Sequence, residues 1–367
     1  MAQVTAGNLD AVDMNALMLT GLFSLATLTR GATTLTATLP SGYVVTFTGQ
    51  FTYGSGGSVT GGTVSGFQVA VNGSNFYSVT GLSLSAPQFV QWVQAGNVSA
   101  LYGAALAGND DLNGGAMNDN MFGDAGHDNL FGRGGADTLT GGAGNDHLYG
   151  QSAGGGSDGA DSLSGGTGND YLQGNAGNDT LDGGDGSDRI NGGGDNDQIT
   201  GSTGNDTING NLGNDTIDGG ADNDSLRGGQ GNDSIAGGTG NDLISGDLGA
   251  DTMSGGGGTD YFLFTGAASP TSAPDRITDF TDGTDRLNVG QLPLSVLKGA
   301  AQPSLSAAAT LAQQLFQNNA GTSEVAAIGV GSDTYIFYSS SRGATVDSAI
   351  QLAGINPSAI STDDFVV

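Results

Sequence analysis

The chain has 367 residues, of which 69 are Gly and 37 are acidic, and its formal net charge at pH 7 is -29. A charge of this sign and size argues against nucleic acid or an anionic membrane as a partner. Cys is absent, so disulfide bonds contribute nothing to the fold. Every acidic residue except Glu324 is an Asp, the carboxylate that suits tight turns.

The first region, residues 1–104, has ordinary composition and predicts a small, mostly β module with short helices. Its amino terminus lacks the basic segment of a secretory signal, and its apolar stretch at 14–28 is too short to cross a membrane. Alternating apolar residues predict strands at 43–48, 67–71 and 76–82, and other apolar patterns predict helices at 9–25, 86–94 and 98–106. No transmembrane segment is expected.

The second region, residues 105–263, is an internal repeat with the nine-residue unit Gly-Gly-x-Gly-x-Asp-x-apolar-x. From Asp110 to Asp260 an Asp recurs every nine residues, with a single step of fifteen between Asp146 and Asp161. The position two after each of these seventeen Asp is apolar, and the position five before it is Gly except at Ala105. A disordered acidic tract would not keep two registers, so the repeat predicts a regular fold.

The unit predicts a parallel β-roll in which two nonapeptides make one coil. The apolar side chain points inward from a short strand of three residues centred on it, and Gly supplies the positive φ of the turn. Two inward side chains per coil cannot offset the entropy of ordering the backbone, and stacked Asp side chains would repel one another. A dication between adjacent turns removes this repulsion. Calcium, which accepts six to eight oxygen ligands, suits such turns better than magnesium.

The repeat resembles that of the RTX (hemolysin-type) calcium-binding family, whose fold is a right-handed parallel β-roll. The resemblance covers residues 105–263 and implies multiple Ca²⁺ ions, on the order of ten or more, between turns of neighbouring coils. Each ion would be held by repeat Asp side chains and turn carbonyl groups. Carried onto this chain, the ligand set is Asp119, Asp128, Asp137, Asp146, Asp161, Asp170, Asp179, Asp188, Asp197, Asp206, Asp215, Asp224, Asp233, Asp242, Asp251 and Asp260.

A few positions depart from the repeat. Met117, Asp195 and Asp222 replace the fourth-position Gly. Because Asp tolerates the left-handed conformation better than most residues, the turns at Asp195 and Asp222 are expected to survive. Met117 predicts an imperfect first turn. The insertion at 151–156 is expected to bulge from one turn column and to cost one ion site.

The third region, residues 264–367, predicts a cap and a secretion signal. It contains a strand-like run at 333–338 and a helical pattern at 307–317. The segments DRITDF at 275–280 and GTDRL at 283–287 resemble the part that closes the roll in serralysin-type domains. The ending DFVV at 364–367 is similar to the tail read by the type I secretion apparatus. The resemblance implies a secreted or surface-associated protein of a Gram-negative bacterium.

Catalytic equipment is sparse, so we expect no enzyme activity. No His-Glu-x-x-His segment occurs, and the two His, His127 and His147, lie inside repeats, which also disfavours zinc or copper. The one Gly-x-Ser-x-Gly match, around Ser152, lies in the insertion with no His after it. The sequence therefore favours an extracellular structural protein that forms homo-oligomers or polymers. A cell-surface polysaccharide is an open alternative as a binding partner.

Two alternatives stay open at this point. One is an accessory, non-catalytic part of a secreted hydrolase. The other is a ligand-, carbohydrate- or ice-binding protein, although Asp185 and Ala221 interrupt the Thr column that ice binding would need.

Overall fold

The computed structural model describes residues 3–6, 27–30, 34–38, 43–53, 59–71, 74–86, 106–151, 159–264, 269–319, 324–339 and 345–367. The chain divides into two compact units, residues 1–180 and 181–367. Most of the regular structure in the described residues is β. The expected division at 104 and 263 stays a prediction.

Six strands precede the repeats: β1 (Gln3–Ala6), β2 (Thr27–Arg30), β3 (Thr34–Thr38), β4 (Tyr43–Tyr53), β5 (Val59–Val71) and β6 (Ser74–Ser85). The three strands predicted in this region fall within β4, β5 and β6 and are confirmed. The predicted helices at 9–25, 86–94 and 98–106 lie almost entirely outside the described residues.

The repeat strands are β7 (Asp111–Asn113), β8 (Asn120–Ala125), β9 (Asn129–Arg133), β10 (Thr138–Ala143), β11 (His147–Gln151), β12 (Ser162–Thr167), β13 (Tyr171–Ala176), β14 (Thr180–Asp185), β15 (Arg189–Gly194), β16 (Gln198–Thr203), β17 (Thr207–Leu212), β18 (Thr216–Ala221), β19 (Ser225–Gln230), β20 (Ser234–Thr239), β21 (Leu243–Leu248), β22 (Thr252–Gly257) and β23 (Tyr261–Leu263). The strands after them are β24 (Asp275–Ile277), β25 (Arg286–Asn288), β26 (Ser295–Lys298), β27 (Glu324–Val330), β28 (Asp333–Tyr338) and β29 (Ser348–Leu352).

Within each unit the repeat strands pair in parallel with the strand two further along, so the chain coils through two sheets. In the first unit β10 pairs with β8 and β12, and in the second unit β18 pairs with β16 and β20. The apolar side chain two after each repeat Asp points inward and is at most 2% exposed. This confirms the predicted inward register of all seventeen units.

Most repeat strands are six residues long, not the three expected from the apolar position alone. Pairing continues into the turn, where Gly220 pairs with Gly238 and Ala221 with Thr239, while Gly219 is skipped. The stacked turns therefore belong to the sheets. The reason is that identical turns in successive coils present their backbone N–H and C=O groups to one another at strand spacing.

In the first unit, the N-terminal strands continue one of the two sheets. Strand β1 pairs antiparallel with β6 and parallel with β7, the first repeat strand. The edge of the first coil on this sheet is therefore covered by strand β1, in place of the exposed edge that invites pairing with other chains.

In the second unit, the C-terminal region joins the other sheet through β29, which pairs in parallel with β24. Helix α1 (Leu305–Asn318) and strand β28 confirm the helix predicted at 307–317 and the strand predicted at 333–338. Ser304 caps the helix by accepting the Ala307 N–H at 3.2 Å. The helix packs against these strands in a core of Ala308, Ala312, Phe316, Ala326, Ile328, Phe337 and Ala349.

The end of the chain packs against residues 283–287. Phe365 is buried, and the Val366 N–H donates to the Leu287 carbonyl oxygen at 3.0 Å. Asp364 is also buried and accepts the Gly283 N–H at 3.2 Å. None of the helices in the described part of the chain is both long and apolar enough to cross a membrane.

Candidate metal centre

Within each unit, the Asp residues of the repeat form two buried columns, one along each row of turns. All sixteen Asp that the sequence predicts as ligands are at most 3% exposed. Each lies between the last turn residue and the first residue of a strand, so the turn and the inward apolar side chain together position its carboxyl group. The structure therefore brings together Asp residues that lie eighteen or more positions apart in the sequence.

One oxygen of these carboxyl groups is used by the backbone. Oδ1 of Asp224 accepts the N–H of Asp206 at 2.8 Å, and Oδ1 of Asp242 accepts the N–H of Asp224 at 2.9 Å. The same bond recurs between successive coils in both units. These bonds link each Asp to the previous coil and fix the direction in which the second oxygen points.

The second oxygen, Oδ2, has no hydrogen-bond partner at many of these positions. Ten buried Asp leave Oδ2 without one: Asp128, Asp146, Asp206, Asp215, Asp224, Asp233, Asp242, Asp251, Asp260 and Asp275. A buried carboxylate oxygen without a partner costs several kcal/mol at least, so such a column is unstable unless something neutralises it.

The unpartnered oxygens face the turns of neighbouring coils. A Cβ placed on Gly219 would lie 2.5 Å from Asp224 Oδ2 and 2.6 Å from the Gly237 carbonyl oxygen, one coil further on. This convergence of a carboxylate and a glycine carbonyl recurs at Gly114, Gly123, Gly132, Gly141, Gly150, Gly183, Gly192, Gly201, Gly210 and Gly237. We call each such place a glycine cradle.

The oxygen donors of a cradle fit calcium. The part of the chain that the structure describes holds no cluster of three His, Cys, Asp or Glu side chains. A cation there must therefore draw on backbone carbonyls as well as carboxylates, which is the mixed set of hard oxygens that Ca²⁺ accepts. Bound calcium would supply positive charge to the Asp Oδ2 atoms and the glycine carbonyls.

The protonation of the columns reflects their burial. Burial, opposed by the backbone N–H bond and reinforced by neighbouring carboxylates, raises the pKa of Asp128, Asp206, Asp224 and Asp233 to about 7. The same causes raise the pKa of Asp260 to about 6. At neutral pH and without a cation, Asp128, Asp206, Asp224 and Asp233 are therefore balanced between charged and protonated forms.

Lower pH is expected to favour folding when calcium is absent. The pKa of Asp128 and Asp206 is about 7 in the folded chain against an ordinary value of 3.8, so the folded state binds protons more tightly. Stability therefore rises as pH falls through about 7 towards about 4, and is lost as pH rises. Circular dichroism of chelator-treated protein at about pH 5 and about pH 7.5 tests this. Equal β-sheet content at the two values would contradict it.

The turns at Asp195 and Asp222 keep the left-handed conformation that was expected there, and other turns show a second kind of replacement. Asp195 and Asp222 adopt φ of 72° and 75°, in the left-handed region, as expected for a residue replacing the fourth-position Gly. The second Gly of the unit is also replaced, which the sequence reasoning did not consider. The residues at that position with positive φ are Asp124, Arg133, Asn175, Ser202, Asn211 and Asp247.

The columns keep their register across the insertion. The Asp137 N–H donates to Asp161 Oδ1 at 2.8 Å, and β10 pairs with β12 without a shift. A Cβ on Gly150 would lie 2.6 Å from the Gly174 carbonyl oxygen, as in the uninterrupted turns. Residues 152–158 lie outside the described part, and so does Ser152 of the Gly-x-Ser-x-Gly match. The expected loss of one ion site stays a prediction.

Sequence reasoning missed three members of the columns. Asp110 is in register but absent from the predicted ligand set, and its N–H donates to Asp128 Oδ1 at 2.7 Å. Asp275 and Asp285 extend the columns past Asp260, although their spacings of 24 and 25 residues break the nine-residue step. The sequence does carry one sign of Asp275 and Asp285: each is followed two positions later by an apolar residue, Ile277 and Leu287, as in the repeats.

Comparison with known proteins agrees with this geometry. The family model for the RTX calcium-binding nonapeptide repeat (four copies) matches residues 105–139, 131–152, 155–190, 191–226 and 227–262. The comparison with curated proteins gives no match.

Two solved structures show local similarity. A solution structure of a subunit of mannuronan C5-epimerase from Azotobacter vinelandii has 24% identity over 49% of this chain and 79% of its own, with a TM-score of 0.21. The extracellular lipase of Serratia marcescens has 16% identity over 71% of this chain and 40% of its own, also with a TM-score of 0.21. The repeat match and the coiled parallel sheets support an RTX β-roll in the repeat residues that the structure describes, 106–151 and 159–262.

Proposed function

We propose that this chain is a secreted calcium-binding structural protein of the bacterial cell surface or extracellular matrix, which folds and self-assembles on binding calcium. The observation that carries the proposal is the buried column of Asp residues whose Oδ2 atoms lack partners. The calcium ligands of the proposal are the sixteen repeat Asp together with the carbonyl groups of the glycine cradles.

Calcium acts as the folding switch in this proposal. Cytosolic calcium lies far below the roughly 0.1–1 mM dissociation constants of extracellular modules. The chain therefore stays unfolded inside the cell, where each column would bury uncompensated charge. It folds outside, because ligand binding and folding share one free energy.

Export through a type I secretion apparatus of a Gram-negative bacterium completes the proposal. Its support is the acidic-then-apolar end of the chain, Asp364 to Val367. In the folded chain Asp364 and Phe365 are buried, so the apparatus would have to read this segment before folding. This order of events agrees with a chain that stays unfolded until it meets calcium.

Two features support calcium-dependent assembly: the nearly neutral net charge of the calcium-loaded chain and the exposed leucine side chains on its surface. About a dozen ions would add roughly +24 to the net charge of -29, and nearly neutral molecules associate readily. Leu212 and Leu248 are 50% and 55% exposed, in turns of the same column. They line one groove with Arg227, which pairs with Asp247. These side chains offer an apolar contact between subunits.

Calcium-loaded protein is expected to form oligomers or filaments that dissociate in chelator. Electron microscopy and light scattering at high protein concentration, with and without calcium, measure this. The double substitution Leu212→Ser and Leu248→Ser is expected to weaken assembly without changing calcium-dependent circular dichroism. The matched control is Leu294→Ser, at a 73% exposed leucine outside the groove. Wild-type protein that stays monomeric in calcium would contradict the assembly proposal.

The ligand-binding alternative is favoured by the same groove. Its volume is about 640 Å³, and it presents the side chains of Asn209, Asn211, Gln230, Arg227 and Asp247. Amide and guanidinium groups of this kind hydrogen-bond sugar hydroxyls. Cosedimentation with cell-surface polysaccharide, by calcium-loaded protein that does not self-assemble, would favour this alternative over the structural role.

A further inference from the structure

One sheet of the first unit carries aromatic side chains on its outer surface. Strand β11 pairs with β9 on one side and with β13 on the other. In each of these strands buried side chains alternate with side chains that are partly or fully exposed. We call the outward residues of the three strands the aromatic face: Asn129, Phe131, Arg133, His147, Tyr149, Gln151, Tyr171, Gln173 and Asn175.

The rings of the aromatic face contact one another across the strands. Phe131 and Tyr149 are partners in the strand pairing, and their rings stack with centroids 5.0 Å apart and planes within 3°. Tyr149 and Tyr171 lie diagonally, with centroids 5.6 Å apart and planes tilted by 48°. The His147 ring meets Tyr171 edge-on at 5.8 Å. The rings therefore form one continuous apolar strip that crosses three strands.

Amide side chains beside this strip are held in fixed orientations. The Tyr171 hydroxyl donates to Gln173 Oε1 at 2.9 Å, and Gln173 Nε2 donates to Asn175 Oδ1 at 2.7 Å. Asn175 Nδ2 donates in turn to the Gln151 carbonyl oxygen at 3.3 Å. A side-chain amide has two N–H donors and an oxygen with two lone pairs, so one bond at each atom does not exhaust its capacity. The amides are thus oriented for a further polar ligand.

The aromatic face lacks the negative charge that marks the rest of the chain. None of its nine residues is Asp or Glu, although the chain has 37 acidic residues. In the opposite sheet, strand β8 carries Asp124 at the repeat position that Arg133 occupies in β9. Because the net charge of -29 repels anionic polymers, a ligand without charge is the better match for this face.

A sugar polymer matches the two kinds of group that the face presents. The C–H groups of a sugar ring pack against the electron-rich faces and edges of aromatic rings, and its hydroxyl groups bond to side-chain amides. An apolar protein surface would instead bury Gln173 and Asn175 without new partners, which costs free energy. The combination of rings with amides therefore favours a polysaccharide over a second copy of the chain.

We infer that the aromatic face binds an uncharged polysaccharide. Phe131 and Tyr149 pack against the sugar rings, while Gln173 and Asn175 bond to the hydroxyl groups. The inference goes beyond the structural role proposed above: it rests on the roll folding in calcium, but it does not need assembly. It also uses residues of the first unit, whereas the groove of Leu212 and Leu248 belongs to the second.

Affinity electrophoresis of the full-length, calcium-loaded protein tests the inference. Native gels contain hydroxyethylcellulose, laminarin or dextran as uncharged polysaccharides, or alginate as an anionic one. Wild-type protein is expected to be retarded by at least one uncharged polysaccharide and not by alginate. Phe131→Ala is expected to raise the dissociation constant about ten-fold, because one ring contact is lost.

Phe122→Ala is the matched control. Phe122 is also partly exposed and also lies three positions after a repeat Asp, but it belongs to β8 in the opposite sheet. We expect it to be retarded like wild type. Gln173→Ala leaves every ring in place and is expected to weaken binding about three-fold, so it tests the face even if Phe131→Ala lowers the β-sheet circular dichroism.

Several results would overturn the aromatic face. Calcium-folded wild-type protein that migrates equally in all uncharged gels, or that is retarded by alginate alone, would do so and would leave the calcium role of the repeats intact. Unchanged retardation of Phe131→Ala and Gln173→Ala, with loss in Arg227→Ala, would assign sugar binding to the groove instead. A wild-type chain whose circular dichroism ignores calcium would overturn the folding proposal, and the same gels would still test the face.

Discussion

Removing calcium from the purified chain at about pH 7.5 is expected to abolish most of its β-sheet circular dichroism, and restoring calcium is expected to bring it back. Ten described Asp bury an Oδ2 atom that has no hydrogen-bond partner. Without a cation these atoms either carry buried negative charge or must take up protons, and few protons are available at this pH. Each independent ion that binds only the folded chain at 100 times its dissociation constant adds about 2.7 kcal/mol of stability.

Magnesium is the control for this experiment. It prefers octahedral coordination and retains its water, so at equal concentration we expect it to restore little of the β-sheet signal. Urea titration in saturating calcium and in chelator would measure the same difference as a free energy of unfolding. An unchanged spectrum after chelation would contradict calcium-dependent folding and would point to protonated Asp columns instead.

Filling a glycine cradle is expected to have the second large effect. In Gly219→Ala the new Cβ would lie 2.5 Å from Asp224 Oδ2 and 2.6 Å from the Gly237 carbonyl oxygen. Gly237 lies between Ala236 and Gly238, which both pair with the neighbouring coils, so its carbonyl cannot move aside without disturbing that pairing. We expect a loss of stability of about 1–3 kcal/mol and a higher calcium concentration at the folding midpoint.

Gly257→Ala is the matched control, because Gly257 also lies in a repeat turn of the second unit. An added Cβ there would meet no atom within 4 Å, and its φ lies outside the left-handed region. We expect its stability to stay within about 0.5 kcal/mol of wild type. Thermal melts and calcium titrations of the two variants side by side would decide the matter. Equal stability and calcium dependence of Gly219→Ala and Gly257→Ala would contradict the close packing of the glycine cradle.

Much of the site could be predicted from local sequence. The nine-residue register placed Leu226 and Ile235 inward and Asp224 and Asp233 in the buried columns, as the structure shows. These predictions succeed because every turn faces the same local requirement for positive φ and every strand has one inward position. Because the requirement recurs in every unit, the register can be assigned from the sequence.

The ends of the columns could not be predicted in this way. The nine-residue step fails after Asp260, and Asp275 and Asp285 join the columns only because β24 and β25 stack on the preceding coils. Strand β28 is joined to β24 only through β29, which pairs with both strands. No local pattern encodes such a contact.

By itself, the sequence determined the nonapeptide register, the coiled parallel roll and the Asp residues that line it. The tertiary structure alone decided which carboxylate oxygen is used by the backbone and which lacks a partner, and how each column ends. The physical reason is distance along the chain. Turn conformation and side-chain direction are set within nine residues, whereas each bond to Oδ1 joins residues eighteen to twenty-five positions apart and forms only when the coils stack.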